Sequence, residues 1–458
     1  MLIDFLVLDA PALRDDYYCS LLAYSATIQC LAVGLGPHVY LWSEDRGARN
    51  IPDSLTAPYG SAHVTSLSFS SRDGACAILA IGRADGRITL WSPLDRDPRF
   101  DSEQPAPVSC VCFRPTTVKR SSLREPTATV PTEELLVGDE LGHVYYYSIE
   151  WPGQEERDLF DWHGSMTLLA RITCHSQQVC GIAWGPDGEC FATGGNDNQL
   201  FLFESKKLLQ RPANCRTNTR AAVHVRDGSS GSGSTTLTGQ GEVLAILPGQ
   251  EKHVFALNAA VKAIAFAPWQ STLLAAGGGS NDRCIHFFHT LSGANLATID
   301  CHAQVTSLVW SEKRKEIAST FGFAQPEHPY RVAVFTWPSC QMVVRIPWWG
   351  EERALFAVAY PRGPRAGQPQ ESSQGSSSNN RSVGERRLDA EGRPWYGKRT
   401  KEEGCLVVAT SDASIKFHEI WAEARSSGGK RVSSGVLGGS QILEEECSGD
   451  IERWAVIR

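Results

Sequence analysis

Few side chains in the 458-residue chain stand at spacings that could do covalent chemistry. His286 and His289 are three apart and could suggest a metal pair, but they fall in a short apolar strand pattern. There, positions i and i+3 point to opposite faces. The run DGSSGSGSTTLTGQG at 227–241 is rich in Gly, yet it lacks the Lys-Ser/Thr step and the strand-to-helix context of a phosphate cradle. There is no GxSxG elbow, and no paired carboxylates sit where general acid–base work would use them. The 14 cysteines are scattered, with Cys110 and Cys112 as a CxC pair and no CxxC. They read as small buried hydrophobes in a reducing compartment. Asp85, Asp139, Asp197, Asp282 and Asp412 recur at matching places along the chain, a repetition that points to turn stabilisation. Neither an enzyme nor a metal or cofactor site is expected. A binding surface remains.

The elements that would carry such a surface follow from internal repetition. Cys174 to Phe203 contains an alternating apolar strand, a Pro-Asp-Gly turn, a small-residue strand, a second turn and a third strand ending on Phe. One such unit cannot bury both faces, so copies are required. Clear copies run from Ala62 to Trp91, Ala259 to Phe288 and Gln304 to Trp337; weaker ones run from Ser20 to Trp42, Val108 to Tyr147 and Arg353 to Phe417. Setting aside three polar inserts (114–132, 205–256 and 362–402), the period is about 42 residues, inside the roughly 40–45 of a WD-type blade. This predicts an all-β, seven-bladed WD-repeat β-propeller over 19–421, with 1–18 as a lead-in segment and 422–458 as a flexible C-terminal tail. The inserts are expected to be disordered by composition. A net charge of -7 argues against general nucleic-acid binding. No run of 18 apolar residues is present to span a membrane, and MLIDFLVLDAP lacks the basic region of a signal peptide.

Several motifs are more specific than the repeat. They are LDAP (8–11), DDYY (15–18), LAVGLGPHVYLW (31–42), VCGIAW (179–184), GGNDN (194–198), VKAIAFAPWQS (261–271), GGGSNDRCI (277–285), HAQVTSLVWS (302–311), FGFAQ (321–325) and the terminal Ile457-Arg458. Together they resemble the Fizzy family, the activator and substrate-receptor subunits of the anaphase-promoting complex ubiquitin ligase. The resemblance covers the chain outside the inserts, and the inserts in blades three and seven point to a divergent, meiosis-specific fungal member.

The resemblance implies a destruction-box groove between blades one and seven. Asp9 would face the degron Arg, and Leu8, Ala10, Pro11 and Trp42 would help form the pocket for its Leu. Blade seven offers Asp412-Ala413 where the family usually has Asp-Glu, so one carboxylate is missing. A KEN-degron site is implied at Asp16, Tyr17, Asn196, Asn198, Ser280, Gln325 and Arg353. In it Asp16 suits the degron Lys, Arg353 its Glu and Gln325 its Asn. Ile457 and Arg458 would dock on the ligase. The implied partners are core subunits of the anaphase-promoting complex and degron-bearing substrates such as cyclins, with no nucleic acid and no membrane, in the nucleus and cytoplasm. Family members carry a basic C-box motif on an arm ahead of the propeller. This sequence starts seven residues before LDAP, so the arm is expected to be missing. The alternative is a propeller scaffold or decoy that binds ligase or degrons without activating.

Overall fold

The innermost strands of the structure, a computed structural model, are Leu22–Ser25, Val64–Phe69, Val108–Phe113, Val179–Trp184, Val261–Ala267, Ala303–Trp310 and Ala354–Tyr360. Residues 6–43, 47–50, 55, 62–210, 216–227, 235–360, 404–421 and 456–457 are described. Each inner strand begins its own sheet and touches the next in chain order, and the last returns to the first. The ring of seven sheets is a seven-bladed β-propeller, the expected fold class.

The recurring residue types explain the blade spacing. A Val near the start of one inner strand enters a hole left by a Gly in the second strand of the preceding blade. A Cβ on Gly82 would meet Val108 Cγ1 at 2.6 Å, one on Gly138 would meet Val179 at 2.9 Å, and one on Gly277 would meet Val305 at 2.3 Å. Such contacts leave no room for a methyl group, so the Gly positions set how closely blades pack. The aromatic ending the inner strand ties the same two blades. Trp184 Nε1 donates to Cys112 O at 3.4 Å and Trp310 Nε1 to Ala265 O at 3.2 Å. The repeated aspartates cap turns by accepting the N–H two residues on, from Arg87 at 3.0 Å, Leu141 at 2.9 Å and Gln199 at 3.2 Å.

The ring is closed by the chain start. Leu6–Asp9 pairs antiparallel with Ser414–His418 and becomes the outer strand of blade seven. Residues 6–9 therefore belong to a blade and are not merely a lead-in. Around this closure one apolar cluster joins Ala10, Leu22, Leu31, Val407 and Phe417, so blades seven and one share a core.

Two inserts differ from the expectation of disorder. In 114–132, Val118–Ser121 forms a hairpin with the first half of Thr129–Asp139. Its polar residues satisfy one another: buried Glu134 accepts from Arg114 at 2.7 Å, from Arg120, and from the Tyr146 hydroxyl at 2.6 Å. Glu150 accepts from Ser122 Oγ at 2.6 Å and Leu123 N at 3.0 Å. Polar composition predicts disorder only when no partners exist, and here they do. Within 205–256, Ser205–Leu209 is helical, and His253–Ala256 is the fourth strand of blade four. Arg216–Asp227 and Thr235–Ile246 pair with each other and with Trp162–Ile172, whose open edge in blade three supplies the hydrogen bonds. The expected disorder at 228–234 and 362–402, and the flexible tail at 422–455, lie outside the described residues. Among the described residues no helix is long and apolar enough to cross a membrane.

Candidate functional site

At the seam of blades one and seven, the strand Leu6–Asp9 turns Leu6 and Leu8 toward the core and leaves Val7 and Asp9 exposed. The alternation is the ordinary pleat of a strand with one face covered. Ala10 N donates to Ala413 O at 2.9 Å, which fixes the chain as it leaves the sheet. Trp42, from the third strand of blade one, packs across the seam, its ring 5.3 Å from Phe417 and 6.0 Å from Tyr360. Leu8, Ala10 and Trp42 thus share one apolar cluster, with Asp9 and Pro11 exposed beside it. Among the described residues no side chain pairs with the Asp9 carboxylate.

Asp412 is committed differently. Burial works against its charge, but the Thr410 and Ser414 hydroxyls and the Lys416 ammonium outweigh that and hold its pKa below the usual range. Ser414 Oγ donates at 2.7 Å and Lys416 Nζ lies at 3.4 Å. The carboxylate serves its own turn and strand first.

The second residue set gathers around the segment Asp15–Cys19. Asp15 Oδ2 meets Arg353 NH2 of blade seven at 2.5 Å, and Tyr18 Oη donates to Asn196 Oδ1 of blade four at 2.9 Å. Tyr17 lies inward, with Lys262 Nζ of blade five 5.3 Å from its ring centroid. Burial raises the Tyr17 hydroxyl well above the usual phenol range, so Tyr17 acts as wall and not as acid. Three blades are therefore joined by one short segment. Asp16 accepts from Tyr18 N at 2.9 Å and Arg14 Nε at 3.3 Å, and its side chain keeps 28% exposure for a further donor. The Arg353 guanidinium lies over the Phe323 ring, 4.4 Å from its centroid, and the Asp15 pair uses only part of its N–H donors.

The other members are placed less uniformly. Asn196 Nδ2 donates to Gln177 Oε1 at 2.9 Å, so its amide is already bridged on both sides. Asn198 has φ 65°, the left-handed conformation of a turn, and its carbonyl accepts from Leu257 N at 2.9 Å. Gln325 is exposed, its carbonyl accepting from Arg283 and its backbone N–H donating to His302 O at 2.7 Å. Ser280 is exposed in the blade-five turn and makes no bond with the rest of the set among the described residues. Sequence reasoning missed Asp15, Tyr18 and Phe323. Asp15 and Tyr18 sat inside the DDYY motif and Phe323 inside FGFAQ, but the role of Phe323 is visible only once Arg353 is seen to lie over it.

The histidines have separate partners. His286 joins Asp282 at 2.8 Å and Thr298 at 3.2 Å, while His289 joins Ser292 at 2.8 Å. Asp282, Cys284 and His286 bring possible ligand atoms within 4.8 Å of one another. However, blade three repeats the same i,i+4 pair as Asp139 and His143 at 3.0 Å, where it serves the turn. At the tail, Val456–Ile457 pairs antiparallel with Thr298 and Ile299 on the outer edge of blade five, and Arg458 lies outside the described residues.

Comparison with known proteins narrows the reading. The model for the WD domain, G-beta repeat matches residues 166–204. Meiotic fizzy-related protein 2 of Schizosaccharomyces pombe is 30% identical over 96% of this chain and 67% of its own length. A meiosis-specific APC/C activator protein of Saccharomyces cerevisiae is 29% identical over 96% of this chain and 62% of its own length. The chain thus spans 62% to 67% of these relatives. A solved structure described as the crystal structure of the mitotic checkpoint complex superposes with a TM-score of 0.57 at 25% identity, over 92% of this chain and 96% of the other.

Proposed function

The chain belongs to the Fizzy family, and from that premise we propose that it is a substrate-receptor and activator subunit of the anaphase-promoting complex. The observation that carries the reading is the pair of separate polar–apolar sites on one closed ring of blades. At the seam, an exposed carboxylate (Asp9) stands beside an apolar cluster containing Leu8, Ala10 and Trp42. That matches a destruction box, whose Arg needs a carboxylate and whose Leu needs a hydrophobic pocket. Around the segment Asp15–Cys19, a carboxylate (Asp16) and a guanidinium (Arg353), together with the exposed amide of Gln325, suit a KEN tripeptide of cation, carboxylate and amide.

Ubiquitin transfer is then promoted by proximity: the propeller holds substrate while the ligase supplies the chemistry. Ile457 and Arg458 dock on a core subunit, and the names of the relatives favour a meiotic role, acting on substrates such as cyclins in nucleus and cytoplasm. The test is co-precipitation of the ligase's core subunits with this chain and with a version lacking Ile457 and Arg458. Capture that depends on the two residues supports the reading. Capture by neither version removes the docking role.

A further inference from the structure

Lys262 lies on the innermost strand of blade five, yet its side chain is buried, at 5% exposure. Its ammonium donates to Cys19 O at 2.9 Å and Leu355 O at 3.3 Å. The two carbonyls belong to different walls. Cys19 ends the segment that carries Asp16 and Tyr17, and Leu355 stands two residues after Arg353. The ammonium also lies 5.3 Å from the Tyr17 ring centroid and 5.0 Å from that of Phe356, one from each wall. Among the described residues no carboxylate bonds it. A buried charge is expensive and would serve no packing need that an apolar side chain could not meet. What it does here is tie two backbone carbonyls and two rings from the Asp15–Cys19 segment and from blade seven, beside the direct Asp15–Arg353 pair.

We propose that Lys262 is a positioning residue for KEN recognition, fixing the distance between the carboxylate of Asp16 and the guanidinium of Arg353. The inference rests on the reading of those two residues as degron contacts. Burial brings the Lys262 ammonium down to about 8, against the opposing pull of Cys19, Asp16 and Cys180. Those three and Tyr17 are the titratable groups facing it from the lead-in segment and blade four. Blade seven presents the Phe356 ring, with Arg353 nearby in sequence. Above that pH the amine still donates, but the charge that strengthens both carbonyl bonds and both ring contacts is gone.

The experiment titrates the full chain with a KEN peptide and, separately, a destruction-box peptide, in wild type, Lys262→Met and Arg353→Ala. Lys262→Met is expected to weaken KEN binding by about tenfold near neutral pH, the scale of a charge-assisted bond, while destruction-box binding stays unchanged. Wild-type KEN affinity is expected to fall as pH rises through about 8, and the profile of Lys262→Met to be flat over that window. If Arg353→Ala loses the KEN peptide while Lys262→Met keeps it, the positioning role is overturned and the site reading stands. If Arg353→Ala also keeps it, the site reading itself fails and the inference falls with it. Should Lys262→Met lose both peptides through misfolding, the wild-type pH profile decides: a flat KEN affinity across that window overturns the proposal.

Discussion

Replacing Asp9 by Asn removes one charge and almost no volume. Asp9 ends the Leu6–Asp9 strand, is exposed, and has no ion-pair partner among the described residues. Its backbone pairing with Ser414 is untouched by the substitution. Folding stability should therefore change by no more than about 0.5 kcal/mol, as for a surface substitution away from caps and networks. Binding is another matter. If the carboxylate takes the degron Arg, the variant loses a charge-assisted hydrogen bond, about 1.5–2.5 kcal/mol, or roughly 10- to 60-fold in affinity. Asn keeps one acceptor oxygen, which favours the lower end of that range. The electrostatic share should fade in high salt, so the gap between wild type and Asp9→Asn should narrow as ionic strength rises. The assay is fluorescence polarisation with a labelled destruction-box peptide and its Arg→Ala counterpart, completing a double-mutant cycle. The two losses should be non-additive, since each removes the same contact. Binding within twofold of wild type, or losses that simply add, would refute the assignment of Asp9.

Three further outcomes follow from the geometry. Arg353→Ala should abolish most KEN-peptide binding while lowering stability by only about 1 kcal/mol, because the Asp15 pair is partly exposed and the Phe323 contact is modest; a peptide titration beside a thermal melt checks both numbers. Glu134→Gln should cost about 3 kcal/mol by stranding the guanidinium groups of Arg114 and Arg120, read as a lower denaturant midpoint, and an unchanged midpoint would contradict the buried network. His418 is pulled from 6.5 to about 4 by burial, with Lys416 adding to the effect. The unfolded chain takes the proton first as pH falls, so the stability present above about 6.5 is lost on the way down to about 4. This amounts to on the order of 3 kcal/mol, a limb that His418→Gln should flatten in a series of denaturation curves.

Much of the fold was readable because its repeat is local. The Val-led strand, the aromatic that ends it, the turn aspartate and the small-residue strand all lie within about 40 residues, and each has a direct structural counterpart. The Gly of one blade meeting the Val of the next shows why those residue types recur. What escaped was non-local. Leu6–Asp9 finds its partner at Ser414–His418, the far end of the propeller, and nothing in its four residues announces that pairing. The 114–132 insert looked disordered because its charges were counted without their partners, and the partners of Arg114 and Arg120 lie in the next strand. At the candidate site, Leu8, Ala10 and Trp42 share one apolar cluster with residues of blade seven. Asn198 and Asp412 are held largely by their own turns. Lys262 sat in plain view inside VKAIAF, but a Lys on an otherwise apolar strand reads as an edge or solvent position. Only the closed ring shows that its ammonium reaches two other walls.

The central claim is that one propeller holds two kinds of degron at two places. It is tested most directly by calorimetric titration of the full chain with a destruction-box peptide and a KEN peptide, singly and then in sequence. The account predicts one equivalent of each, with saturation by the first leaving the affinity for the second within about twofold, since the named side chains of the two sites do not overlap. Failure of both peptides to bind, or competition between them for a single site, would contradict it.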